Sequence, residues 1–188
     1  MIAVIANRGQ YNHRIYRTLK YLGADARLLK NDITPEELRA MEPDAIVIGG
    51  GPFLEETGNS QAIIKAFYRE VPLLGICLGH QLIAKAFGGE VKEAEIGEYA
   101  ESEIIVDDED ALLQGTGPSF RAWVSHKDEV KRMPEGFIRL AHSETCQVEA
   151  MRHRDHPVFG VQFHPEVEHT PKGPQIFRNF MGLCRDDG

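Results

Sequence analysis

The 188-residue chain is poor in cysteine. It has three, Cys77, Cys146 and Cys184, and no CxxC pair. An odd, widely spaced set of thiols argues against a disulfide framework and for a reducing compartment, so a cytoplasmic location is expected. Long apolar runs are also missing: none approaches the roughly 18 residues of a membrane span. The opening "MIAVIANRGQ" has neither the basic n-region nor the long apolar stretch of a signal peptide. No membrane partner is expected. Basic residues are in deficit, 21 Lys and Arg against 29 Asp and Glu, for a formal charge of -8. Such a chain lacks the basic face that non-specific nucleic-acid binding needs. A small phosphorylated substrate in a local basic pocket is still allowed. Neither GxGxxG nor GxxxxGK(S/T) occurs, which weakens a phosphate-loop reading. No repeat, low-complexity linker or composition break is present, so residues 1–188 read as a single domain.

What is present is a hydrophobic content of 42%, enough for a sizeable core. The apolar run "IAVIA" (2–6) reads as a buried strand. In "YNHRIYRTLKYLG", Ile15, Leu19 and Leu22 fall at helical spacing, and Gly23 stops the helix. "ADARLLK" is a second strand. Thr34-Pro35 starts a helix, with Thr as N-cap and Pro in the first turn. "DAIVIGGG" and "VPLLGI" are further buried strands, followed by the helices "SQAIIKAFYRE" and "LGHQLIAKAFGG". This alternation predicts right-handed crossovers and a parallel sheet. After Gly89 the texture changes. "EYAESEIIVDD", "RAWVSH", "FIRLAHSE", "CQVEAMRH" and "VFGVQF" read as strands with few helices between, and "GPQIFRNFMGLC" as a closing helix. The predicted fold is α/β: an open, mostly parallel twisted sheet with helices on both faces and an antiparallel or mixed extension.

Gly75-Ile76-Cys77-Leu78-Gly79 places a thiol between two glycines where a strand gives way to a helix. This is the nucleophile-elbow pattern, in which a sharp turn lifts the nucleophile above the sheet and the helix N-terminus favours the thiolate. The alternative is a small buried hydrophobe ending a strand. His164-Pro165-Glu166 closes the strand "VFGVQF". Pro165 biases His164 to an extended conformation, and residues two apart in extended chain face the same way. Glu166 can then orient the imidazole, as in the base-plus-orienter half of a triad. His153, His156, His164, Glu166 and His169 also lie close in sequence, but their spacing matches no zinc pattern. The third stretch, "IGGGPFLEE", follows a strand at the end of the sheet where open α/β folds bind ligands, and its glycine amides can serve an oxyanion.

Together "GGGP", "GICLGHQLIA" and "GVQFHPEV" resemble the class I, triad-type glutamine amidotransferases, with the motifs in the family's order. The resemblance implies the family's flavodoxin-like fold. It also implies Cys77 as nucleophile, His164 as general base and acid, Glu166 as orienter, and an oxyanion hole from the amides of Gly51 and Leu78. Gln81 looks like the glutamine that lines the family's substrate pocket. "RAWVSHKDEV" and "FHPEVEHTPKGPQIFRNF" resemble the glutaminase part of GMP synthetases. In that group the stretch matched by Ser125, His126 and Asp128 helps hold the α-amino and α-carboxylate groups of L-glutamine; a solvated charged turn is the bland alternative. "NRGQYNHRI" resembles the group's start, with Asn7 and Arg8 in place of the usual Asp and Gly or Phe.

The chain stops soon after its last helix, at "CRDDG", without the ATP-pyrophosphatase domain that many such enzymes carry. The resemblance is therefore to the two-subunit, archaeal-type arrangement. It implies a separate ATP-pyrophosphatase (synthetase) subunit that uses ATP and Mg2+ to convert XMP to GMP, and no cofactor or metal in this chain. The free subunit is then expected to be poorly active, with the glycine loop 49–52 and a polar loop 125–129 as candidate switch elements. Neighbouring readings are the glutaminase subunits for anthranilate, aminodeoxychorismate or carbamoyl phosphate synthesis. A cysteine peptidase or γ-glutamyl hydrolase on the same fold, or a non-catalytic regulatory module, lies further off.

Overall fold

The computed structural model describes residues 1–184. The tail that follows Cys184 in "CRDDG" lies outside the described residues. The strands are β1 (Ile2–Ala6), β2 (Ala26–Lys30), β3 (Ala45–Ile48), β4 (Leu73–Ile76), β5 (Glu90–Val106), β6 (Ser119–Arg132), β7 (Phe137–His142), β8 (Ala150–His153) and β9 (Val158–Val161). The helices are α1 (Asn12–Tyr21), α2 (Pro35–Ala40), α3 (Ser60–Phe67), α4 (Leu78–Ala86) and α5 (Gly173–Leu183). All nine strands form one sheet in the order β2-β1-β3-β4-β9-β8-β7-β5-β6. The neighbours from β2 to β9 run parallel; those from β9 to β6 run antiparallel.

Because successive side chains alternate across a strand, the fully apolar parallel strands feed two cores. Val4, Val47 and Ile76 pack on one face with Ile15 and Leu19 of α1 and Phe177 and Phe180 of α5. Ile5, Ile48 and Leu73 pack on the other with Leu38 of α2, Ile63 and Phe67 of α3, and Ile83 of α4. Local signals set the helix ends. Thr34 and Glu37 form a reciprocal capping box with Pro35 in the first turn. α1 ends at Gly23 (φ +90), whose N–H donates to the Lys20 carbonyl while that of Ala24 donates to Leu19.

Two strands differ from expectation. β5 starts at Glu90, eight residues before "EYAESEIIVDD", and pairs with β6 as a long ribbon. The expected loop at 125–129 is consequently strand: Ser125, His126 and Asp128 face Tyr99, Glu98 and Glu93 across the ladder. β5 is largely exposed and rich in Glu, so its strand character rests on pairing with β6, whose Phe120, Ala122 and Val124 alternate into the core. β8 spans only 150–153 of "CQVEAMRH", because Cys146 turns back to bond Ser143.

Candidate active site

Cys77 alone makes the corner between β4 and α4, with φ +53 and ψ −106. Holding a side-chain-bearing residue there costs about 1–3 kcal/mol, so neighbours must over-determine it. The Cys77 N–H donates to the Val161 carbonyl at 2.8 Å, and its carbonyl accepts from Gln81 N–H at 3.2 Å. The flanking glycines have no room for a side chain: a Cβ on Gly79 would collide with the Ile48 carbonyl, and one on Gly75 with the backbone of Gly79. The G-x-C-x-G spacing is thus set by close backbone approach. The nearly buried sulfur accepts from Gln162 Nε2 and faces the Ser125 carbonyl, each at 3.6 Å.

His164 follows β9 and bonds Glu166 Oε1 through Nδ1 at 2.6 Å, both side chains being buried. Its backbone is tied to β6, since His164 N–H donates to the Trp123 carbonyl at 2.9 Å. Thr170 closes the loop: its hydroxyl donates to the His164 carbonyl and accepts from Trp123 N–H. Burial disfavours the His164 imidazolium, but the charge of Glu166, reinforced by the Cys77 sulfur and hydrogen bonds to both, outweighs it and raises the pKa well above the ordinary value. A Cβ placed on Gly50 would sit 3.7 Å from the Cys77 Cβ and 3.8 Å from His164 Cε1. Thiol and imidazole therefore flank the same glycine.

That glycine is fixed. The Gly50 carbonyl accepts from Gly9 N–H at 3.1 Å and from Asn12 Nδ2 at 3.0 Å. In a trans peptide the next N–H points opposite to the carbonyl, so Gly51 N–H faces away from Asn12. Gly51 and Leu78 both line the cavity that holds Cys77 and His164. Gly51 N–H has no acceptor among the described residues, and Leu78, first in α4, has no intrahelical one. Flipping the Gly50–Gly51 peptide would break two hydrogen bonds, which any switch in the 49–52 loop would have to overcome.

The cavity, about 530 Å3, is also lined by Gln81, Ser125, His126 and Asp128. Gln81 Nε2 donates to the Asp128 carbonyl at 2.8 Å and to Gln162 Oε1 at 3.2 Å, which fixes the amide orientation. Both His126 nitrogens are engaged, Nδ1 with the Asp128 carbonyl and Nε2 with Glu98 Oε2, each at 3.0 Å. A cavity ligand therefore meets His126 through its backbone unless one of these bonds breaks. The five clustered residues of the metal alternative do not assemble. His153 stacks with His156 at 4.9 Å, while His169 packs on Trp123 and pairs with Glu101.

The class I glutamine amidotransferase family model matches residues 3–183. The chain belongs to this family. Among its relatives is a subunit of the glutamine-hydrolyzing GMP synthase of Methanothermobacter thermautotrophicus, 52% identical over 185 residues and matched over 98% of each chain. The corresponding protein of Thermococcus kodakarensis is also 52% identical, with the same coverage. A crystal structure of a candidate GMP synthase subunit from Thermoplasma acidophilum superposes with a TM-score of 0.91 at 38% identity, covering 97% of this chain and 92% of that one. The cavity and its supports include residues that motif reading passed over. Gln162 lies inside "GVQFHPEV" and Thr170 ends "HPEVEHT", so both were in view without a role. Asn12 gave no signal, because its work is a hydrogen bond to a glycine distant in sequence.

Proposed function

We propose that the chain is the glutaminase subunit of a GMP synthase. It hydrolyses L-glutamine to glutamate and ammonia, and a separate ATP-pyrophosphatase subunit uses the ammonia to convert XMP to GMP. The observation that carries this reading is Cys77, strained at its corner beside the buried His164–Glu166 pair and opening on the cavity. The Cys77 thiolate attacks the side-chain amide carbon, and the Gly51 and Leu78 amides receive the developing oxyanion. His164 passes its proton to the leaving ammonia, a thioester forms, and His164 then takes a proton from the water that releases glutamate. Glu166 holds the imidazole by Nδ1 and stabilises its charged form. Gln81 and the 125–128 strand segment form the wall assigned to the glutamine α-amino and α-carboxylate groups. This hydrolysis requires no metal or cofactor in the chain; ATP and Mg2+ act on the partner. No helix among the described residues is long and apolar enough to cross a membrane, in keeping with a cytoplasmic site of action.

The test is glutamate release by the pure chain, alone and with a co-purified candidate synthetase subunit, XMP and ATP-Mg2+. Glutamine-dependent GMP formation is expected only with both subunits, and Cys77→Ala should abolish glutamate release. A glutamine-mimicking diazo ketone should label Cys77 ahead of Cys146 and Cys184. Labelling of Cys146 with activity retained would refute the nucleophile assignment.

A further inference from the structure

Behind the cavity wall lies a second group of reactive side chains that the hydrolysis does not use. His126 of β6, Cys146 in the turn after β7 and Glu149 just before β8 each offer one ligand atom, all within 4.8 Å of one another. All three residues are buried, Cys146 and Glu149 completely. Ser143 fixes two of them, donating from Oγ to Glu149 Oε1 at 2.9 Å and accepting from the Cys146 N–H at 3.0 Å. The second Glu149 oxygen, Oε2, is buried and without a hydrogen-bond partner among the described residues, and so is Glu129 Oε2. A buried carboxylate oxygen without a partner is costly, so each calls for an explanation. His126 can become a metal ligand by exchanging one proton for the ion. Its Nδ1 sits on the Asp128 carbonyl, which can only accept, so Nδ1 keeps its proton, and Nε2 shares a hydrogen bond with Glu98 Oε2 whose proton an incoming ion would displace. Glu98 Oε2 lies 3.0 Å from that Nε2, and with the shared proton gone the two atoms need to part only slightly to ligate one ion.

We propose that His126, Cys146 and Glu149, completed by Glu98, form a structural site for a thiophilic divalent transition-metal ion such as Zn2+. A nitrogen, a sulfur and carboxylate oxygens suit such an ion better than Mg2+ or Ca2+, which take oxygen ligands. Bonds of about 2.0–2.3 Å place tetrahedral ligands roughly 3.3–3.8 Å apart, so the group must contract by about 1 Å. The ion would tie the β5–β6 ribbon to the 143–149 turn. It would also fix the Asp128 carbonyl, which holds both His126 and Gln81. The site is separate from the thiol chemistry at Cys77, and it departs from the expectation of a chain without metal.

The experiment uses the full chain, stripped with chelator and titrated with Co2+ and then Zn2+. We expect one Co2+ per chain with a thiolate-to-cobalt charge-transfer band, displaced by Zn2+, and a rise in melting temperature with either metal. Replacing a residue that merely hydrogen-bonds to a metal's ligand weakens such sites about 10–100-fold, so Cys146→Ser and Glu149→Gln should each weaken binding by at least that much. Cys77→Ala should leave the band intact. Circular dichroism of both ligand variants identifies any that fails to fold; Glu149→Gln, which keeps the shape of its side chain, then decides. The proposal is overturned if no charge-transfer band forms, if the band survives in a folded Cys146→Ser or Glu149→Gln chain, or if it disappears in Cys77→Ala. None of these readouts depends on the glutaminase reading.

Discussion

His80 and His164 are both buried, one in the helix that starts at the Cys77 corner and the other in the loop that faces it, yet their surroundings drive them in opposite directions. His80 lies against Gly160 beneath α4 and bonds the Val148 carbonyl through Nε2. Burial dominates there and lowers its pKa to about 3, so it stays neutral. His164 is also buried, but Glu166 and the Cys77 sulfur overcome desolvation and raise its pKa well above the ordinary value. Burial alone therefore does not mark a functional histidine. The adjoining charges decide whether an imidazole packs or handles protons.

Replacing each histidine should break the comparison most sharply. His164→Ala is expected to lower kcat for glutamine hydrolysis by about 10³–10⁶, whereas His80→Gln should stay within about tenfold; steady-state glutamate release measures both. Glu166→Gln should lower kcat by about 10²–10⁴ and remain milder than His164→Ala, because a hydrogen bond to Nδ1 can survive. In the same variant, NMR should show the His164 titration moving down while that of His80 stays in place. A smaller loss, about 10–10² in kcat with KM less affected, is expected for Asn12→Ala, which frees the Gly50 carbonyl and loosens the Gly51 amide.

Stability against pH sharpens the contrast further, with the smallest effects. His164 has a raised folded pKa. Its contribution is fully present below the ordinary value of about 6.5 and is lost as pH rises through the folded value. His80 has a lowered folded pKa, so its contribution is present above about 6.5 and is lost as pH falls toward about 3. Denaturant midpoints across pH should thus show a shallower acid limb for His80→Gln and a shallower alkaline limb for Glu166→Gln. Matching profiles for the two variants would mean that the two imidazoles do not differ in charge.

The parallel half of the sheet was legible because its signals are local. Runs such as "IAVIA" and "AIVI", short and bounded by turn residues, read as doubly buried strands, and Thr34-Pro35 and Gly23 carry the backbone chemistry of helix ends. The β5–β6 ribbon was less legible. β5 is mostly wet, so its alternation is weak, and its length follows from its partner β6. At the candidate site, Cys77, His164 and Glu166 stood out because a strained turn and a carboxylate-paired imidazole restrict residue type. Gln162, Thr170 and Asn12 did not, because amides and hydroxyls bond wherever the fold brings them.

The sequence by itself determined the strand and helix alphabet, the glycine-flanked corner at Cys77 and the His-Pro-Glu turn, since each depends on backbone preferences within a few residues. Only the tertiary structure decided that β9 inserts beside β4, which brings Gln162 to a sulfur 85 residues earlier in the chain. It alone decided that Asn12 anchors Gly50, and that His126, Cys146 and Glu149 meet. These contacts depend on which strands pair and on which face each side chain emerges, and no short window of sequence contains that information.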